Sequence, residues 1–315
     1  MSLRVVKAGL QTTLQSAPFR GYRHIGVPAA GAADSLSLAL ANRLVGNRSS
    51  DVALEIALSG AKFSSDAPAV IALTGAHCDF QINDEVHSHH RSFLISDTDE
   101  ISIGPALKGC RSYLAVSGHV AVEAVMGTRS TYQPAALGGF HGRALEDEDI
   151  LPLKQLHNEN YSEQSTPVQF VPSITNNMMV RVTAGPEFHR LNQEAQASLF
   201  QTSWNVDQRM SRMGLMLNGK VLKTVDSVPM QSSAVFPGVI QCPPSGIPFL
   251  LGPDAQTTGG YPRIAQVIKA DRHLIGQLRP GSKVQLIKTT PEQAATIYRK
   301  KLKLLAPWLG NGQLW

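Results

Sequence analysis

Apolar residues in this chain recur mostly in short runs rich in β-branched side chains, often closed off by Gly, Pro, Asn or Asp. The runs Leu3–Val6, Val70–Leu73, Ser92–Ile95, Glu100–Ile103, Arg111–Val116, Met179–Val182, Ile247–Leu251 and Lys283–Ile287 read as strands. Helical spacing is clear in only three places. After Asp34, an N-cap residue, Leu36, Leu40 and Leu44 fall on one face, and Gly46 suits the C′ position. From Glu187 to Phe200, Leu191, Ala195 and Leu199 recur every fourth residue. Thr290-Pro291-Glu292-Gln293 reads as a capping box with Pro at N1, opening a helix to about Leu305. The pattern predicts a mainly β protein with a few helices.

One stretch breaks the pattern. Lys154–Asn177 is polar, with two prolines and few large apolar residues, and reads as a linker. It divides an N-terminal β-rich lobe, residues 1–153, from a C-terminal β-rich lobe, residues 178–315, that carries the last helix.

Composition narrows the function classes. At 315 residues, 43% of them hydrophobic, the chain has material for a large core. Its formal charge of +5 is scattered, and only Arg299-Lys300-Lys301 forms a run. A nucleic-acid binder concentrates its cations on a stripe or patch. Cys78, Cys110 and Cys242 lie far apart and form no CxxC pair, which argues against a disulfide framework or a thiolate metal site. The first residues lack the apolar run of a signal peptide, and no stretch is long enough to span a membrane. A cytoplasmic protein is expected.

Four segments have the residue types for chemistry. In RGYRHIGVPAAGAAD, Arg20 and Arg23 have the fork geometry to grip a carboxylate; the plainer reading is a turn into the Asp34-capped helix. In MGTRST, Arg129 beside hydroxyls suits an anion, or a polar surface loop. In QRMSRMG, Arg209 and Arg212 share a face if the turn is helical, and read equally well as solvated surface charges. The densest segment is GVIQCPPSGIPFLLGPDAQTTGGYP. There Asp254 has the chemistry of a general base or cation ligand. Thr257, Thr258 and the amides of Gly259 and Gly260 could cradle an anion. Such Gly- and Pro-rich loops also serve simply to turn the chain. His87, His89 and His90 cluster without a metal-site spacing and read as a solvated hairpin. There is no P-loop and no GxSxG elbow.

Taken in order, GVPAAGAAD, ANRLVGN, ALEIALSG, GCRSYLAVSG, MGTRST, GGFHGRAL, AGPEF, SRMGLMLNG, GVIQCPPSGIP, DAQTTGGYPRIAQVIKAD and QLRPG resemble the carboxyltransferase A/B family, also called allophanate hydrolase subunit 2. The resemblance covers roughly Leu3 to Ile287. It implies two cyclophilin-like β-barrel lobes. Family members include the C subunit of bacterial 5-oxoprolinase, the larger partner of the KipI–KipA pair, and part of the carboxyltransferase domain of urea carboxylase. A chain of this length without a biotin-carrier motif points, within the family, to the first. The resemblance then implies a hydrolase subunit that opens a lactam to L-glutamate with ATP and Mg²⁺ at the level of a complex. Its partners would be subunits A and B, and alone it would be inactive. A regulatory partner of a KipI-like protein and a biotin-dependent urea or amide carboxylase component are the alternatives. For lactam opening, Asp254 and Arg212 are the expected catalytic residues. Arg20, Arg111, Arg129, Gln256, Thr257, Gly259, Gly260 and Tyr261 are the expected substrate contacts.

Three positions depart from the family pattern. His119 and Glu148 replace glycines, and Ala30 replaces a serine. Altered turns are expected at the first two.

Overall fold

The computed structural model describes residues 1–154, 161–226, 228–310 and 314. They form two compact units. One comprises Met1–Phe19, Asp34–Ile174 and Leu305–Trp315; the other comprises Arg20–Ala33 and Thr175–Leu304. Of the segment expected to be a linker, residues 155–160 lie outside the described residues, and 161–174 pack in the first unit. There Arg91 bridges to Ser165, and the Tyr161 hydroxyl donates to Ser92 O at 2.7 Å.

The first unit holds a six-stranded and a five-stranded sheet. Leu3, Phe63, Phe80 and Ile101 from the former share one core with Leu14, Leu54, Ile71 and Leu114 from the latter. The helix α1 (Ser35–Leu44) begins where Asp34 predicts. The Asp34 carboxylate accepts from the amides of Leu36 (3.1 Å) and Ser37 (2.9 Å). Leu36 and Leu40 of α1 pack with Leu305, Trp308 and Phe170.

In the second unit, seven strands close into a barrel. Closure depends on a parallel pairing of Asn177–Ala184 with Lys283–Lys288, and on Ser203–Ser211 pairing with both Lys283–Lys288 and Gly214–Asn218. The helix α2 (Gln193–Gln201) is capped by Asn192 and preceded by a 3-10 turn, Phe188–Arg190. The helix α3 (Pro291–Leu309) opens on the predicted capping box. Thr290 N–H donates to Gln293 Oε1 at 3.1 Å, and Gln293 N–H to Thr290 Oγ1 at 3.2 Å. It runs past Leu305 and contains Pro307.

Two sequence expectations change here. Arg209 and Arg212 do not share a helix face, because Ser203–Ser211 is a strand and Gly214 opens its hairpin partner. Across that turn Arg209 is exposed and Arg212 is buried. The histidine cluster is not simply solvated: His89 and His90 are half-buried, and the His89 ring stacks on His77 at 6.1 Å. At the three departures the backbone is left-handed. Ala30, His119 and Glu148 all hold positive φ, at 48°, 52° and 74°, a region that suits glycine.

Candidate functional site

The segment Pro253–Pro262 lies in the second unit and is fixed from both ends. The strand Phe249–Leu251 delivers the chain to it. At entry, Gly252 N–H donates to Met213 O (2.9 Å) and Asp254 N–H to Arg212 O (3.0 Å). A side chain at Gly252 would collide with the Arg212 carbonyl. The Arg212 side chain then folds back onto the loop. Its Nε and Nη2 donate to the two Asp254 oxygens at 2.9 and 2.8 Å, and Nη2 also reaches Gly31 O at 2.6 Å. Both side chains are about 95% buried. Ala30 N–H donates to Pro253 O at 2.9 Å. Asp254 thus neutralises a buried guanidinium that ties three backbone segments together. With both oxygens committed to Arg212, its carboxylate is not poised as a cation ligand, a role its acidity had suggested. Among the described residues, no three His, Cys, Asp or Glu side chains converge as a cation site.

Arg23 braces the same loop instead of standing free for a carboxylate. Its guanidinium donates to Thr257 O (3.2 Å) and to Val235 O, and lies 4.6 Å from the Phe236 ring centroid. Beyond it, Thr258–Gly259 pairs with Ser233–Ala234 as a two-stranded ribbon. A Cβ on Gly259 would press on the Gln241 amide at 2.7 Å, and that amide donates to Tyr261 O at 3.2 Å. At exit, Cys242 N–H donates to Pro262 O (2.9 Å), and Arg263 holds Glu187 through two contacts of 2.7 and 2.8 Å.

Between these anchors the loop offers donors. Among the described residues, the amides of Gln256, Thr257 and Gly260 have no acceptor. Gln256 is exposed, and Tyr261 is half-exposed. Gly260, Tyr261 and Pro262 line a pocket of about 310 Å³ together with Met230, Pro243 and Arg190. That volume suits a small ligand. Cys242 also lines it, but burial pushes its thiol up to about 11. It is therefore a neutral thiol near pH 7 and no nucleophile.

Arg20 also belongs to this unit, exposed and without a hydrogen bond or ion pair among the described residues. Sequence reasoning missed two further cations, Lys269, which feels the charge of Arg20, and Arg272, which Lys269 also feels. Lys269, whose pKa is lowered by burial and then by Arg272 and Arg20, lies 4.9 Å from the Tyr298 ring centroid. Arg272 has a buried Nε without an acceptor among the described residues. Lys269 and Arg272 open the 3-10 helix Lys269–Gln277, whose three-residue turn stacks positions i and i+3. The KAD motif held the signal, but nothing in it announces a 3-10 turn.

The other two expected contacts belong to the first unit. Arg111 is buried and faces Glu55, Nε to Oε1 3.2 Å. Glu55 also accepts from Tyr113 Oη (2.7 Å), which accepts from Asp34 N–H (2.7 Å). Burial raises the Tyr113 pKa well above its ordinary value, so the phenol keeps its proton and its place in this network. Arg129 Nε donates to Val122 O at 2.8 Å. The structure thus brings Arg212, Asp254 and residues 256–261 together on one frame, and gives Arg111 a local partner.

Comparison with known proteins gives a consistent assignment. Residues 25–288 match the model of the carboxyltransferase domain, subdomain A and B. The chain is 34% identical to the C subunit of 5-oxoprolinase from Escherichia coli, over 93% of each chain. It is 29% identical to the C subunit of 5-oxoprolinase from Haemophilus influenzae, over 92% of each. Among solved structures, K. lactis urea amidolyase superposes with a TM-score of 0.90 at 28% identity, covering 97% of this chain and 20% of that one. The chain belongs to the carboxyltransferase family of subdomains A and B.

Proposed function

We propose that this chain is the C subunit of a 5-oxoprolinase, opening the lactam of 5-oxoproline to L-glutamate together with subunits A and B. The observation that carries the reading is the pocket walled by Gly260, Tyr261 and Pro262 on a loop locked by the Arg212–Asp254 pair. The similarity to two proteins named as the C subunit of 5-oxoprolinase, over nearly their whole length, supports the substrate class.

The chemistry explains the demand on the loop. A lactam carbonyl is a poor electrophile, and ATP with Mg²⁺, acting at the level of the complex, supplies its activation. Asp254, already committed to Arg212, does not fit the Mg²⁺, and this chain's part is positioning and charge stabilisation. As water adds to the ring carbon, negative charge grows on oxygen, and fixed donors such as the Gly260 N–H stabilise it without reorganising. Arg20, whose charge is felt by Lys269, is the cation offered to the substrate carboxylate. Arg212 and Asp254 act as positioning residues, because their polar atoms are spent on each other and on the loop.

The test uses the reconstituted complex. Gly260→Pro deletes the amide donor, whereas Gly260→Ala keeps it, and an added Cβ meets nothing nearer than Met230 O at 3.4 Å. ATP-dependent glutamate formation should fall about 10²-fold or more in kcat with Gly260→Pro, and far less with Gly260→Ala. Equal, small effects of both variants would remove this amide from the mechanism.

A further inference from the structure

Well apart in sequence from the 253–262 loop, the first unit contains an open pocket of about 600 Å³. One wall is the loop Gly138–Gly142, and Val122, Glu123 and Val125 line it as well. Gly138, Gly139, Phe140 and His141 are consecutive, and among the described residues none of their four N–H groups has an acceptor. His141 is exposed and Gly138, Gly139 and Phe140 are half-buried, so these four donors face the open pocket and are accessible to a ligand.

The loop is not loose. Gly142 N–H donates to Gly138 O (2.8 Å), and Arg143 N–H to Phe140 O (3.3 Å). Side chains at Gly138, Gly139 and Gly142 would collide with Ser130 O, Thr131 and Ala136 respectively. Arg143 lies 5.5 Å from the Phe140 ring centroid and is held by Asp149 at 2.7 and 2.8 Å. The backbone changes hand only within Gly139–His141: φ is +64° at Gly138, +55° at Gly139, +54° at His141 and +69° at Gly142, and only Phe140 among the five is outside the positive region. A change of hand of that kind makes successive amides converge into an anion-binding concavity. Arg129 does not line the pocket itself, but its Nε holds the carbonyl of Val122, which does, and it has no carboxylate partner among the described residues. Glu123 is the one acid among the described residues lining the pocket.

We propose that this pocket is a second ligand site, taking the phosphate or carboxylate group of a small molecule through the main-chain amides of residues 138–141. The ligand's oxyanion takes the four donors, and its apolar part lies against Val122, Val125 and Phe140. Glu123 tunes affinity by repelling the anion. The proposal does not depend on the 5-oxoprolinase reading, and its test needs no turnover.

The experiment is an amide-resolved NMR titration of the isolated full-length chain at low ionic strength, with inorganic phosphate in one arm and sodium acetate in the other. The expected result is saturable movement of the 138–141 amide resonances together. Movement with phosphate alone assigns a phosphate ligand; movement with both assigns a general oxyanion site. Glu123→Gln should tighten binding about 5-fold, the size of one unit-charge contact in water, and Glu123→Lys should tighten it further. Non-saturating shifts, shifts spread over the surface without a focus at 138–141, or affinities unchanged in both Glu123 variants would overturn the proposal.

Discussion

Asp254 and Arg212 illustrate how burial reassigns an acid that sequence offers to catalysis. Their two-pronged contact leaves Asp254 no free oxygen, so the pair's first effect is on stability. Removing one partner of a buried pair strands the other charge, at about 3–5 kcal/mol. Asp254→Ala should therefore lower unfolding stability by that amount in urea titrations, and Arg212→Ala should do likewise. His90 gives a pH prediction. Burial, then His89 and His77, lowers its pKa to about 4 from the ordinary 6.5. The folded state holds it neutral, while the unfolded chain takes up a proton near pH 6.5. Its contribution is therefore complete above pH 6.5 and is lost as pH falls toward 4. His90→Asn, which tolerates the φ of +60° at that position, should flatten stability over that window. Cys242, with its thiol near 11, should resist iodoacetamide at pH 7.5 in the native chain.

At the scale of elements, local signals were legible and long-range ones were not. Caps depend on a few consecutive residues, so Asp34 and the Thr290–Gln293 box were readable. Thr290→Ala should cost about 1 kcal/mol, seen as a lower urea midpoint and reduced helicity at α3. Strands with apolar runs were also readable. Gln11–Gln15 was not, because Thr12, Thr13 and Gln15 are buried polar residues; Gln15 finds its acceptor on Thr131, 116 residues away. The strand Ser203–Ser211 was hidden because its far half, with Arg209, is mostly exposed, leaving no apolar alternation. The three positive-φ departures cannot be told from surface turns in sequence. His119→Gly should stabilise the chain by about 1 kcal/mol, since a non-glycine residue there holds a left-handed backbone.

At the scale of the whole molecule, the mainly β composition was legible in the residues themselves, whereas a barrel was expected only from the family resemblance, because no local pattern announces its closure. That closure depends on the parallel pairing of Asn177–Ala184 with Lys283–Lys288 and on the turn at 211–214. Loop 253–262 was legible as a candidate site because its Gly, Pro and hydroxyl residues are contiguous. Its braces were not, because Arg23, Arg212 and Gln241 reach it from distant segments. A candidate site assembled this way needs the whole second unit folded; if the proposed role is right, function should fail with unfolding of the barrel rather than earlier.

The proposed role as the C subunit of an ATP-dependent 5-oxoprolinase has a direct test. Glutamate formation from 5-oxoproline is measured for the purified complex with subunits A and B, with and without this chain and with and without ATP. Turnover is expected only when all three chains and ATP are present. Turnover by A and B alone, or none with authentic partners and ATP present, would refute that role.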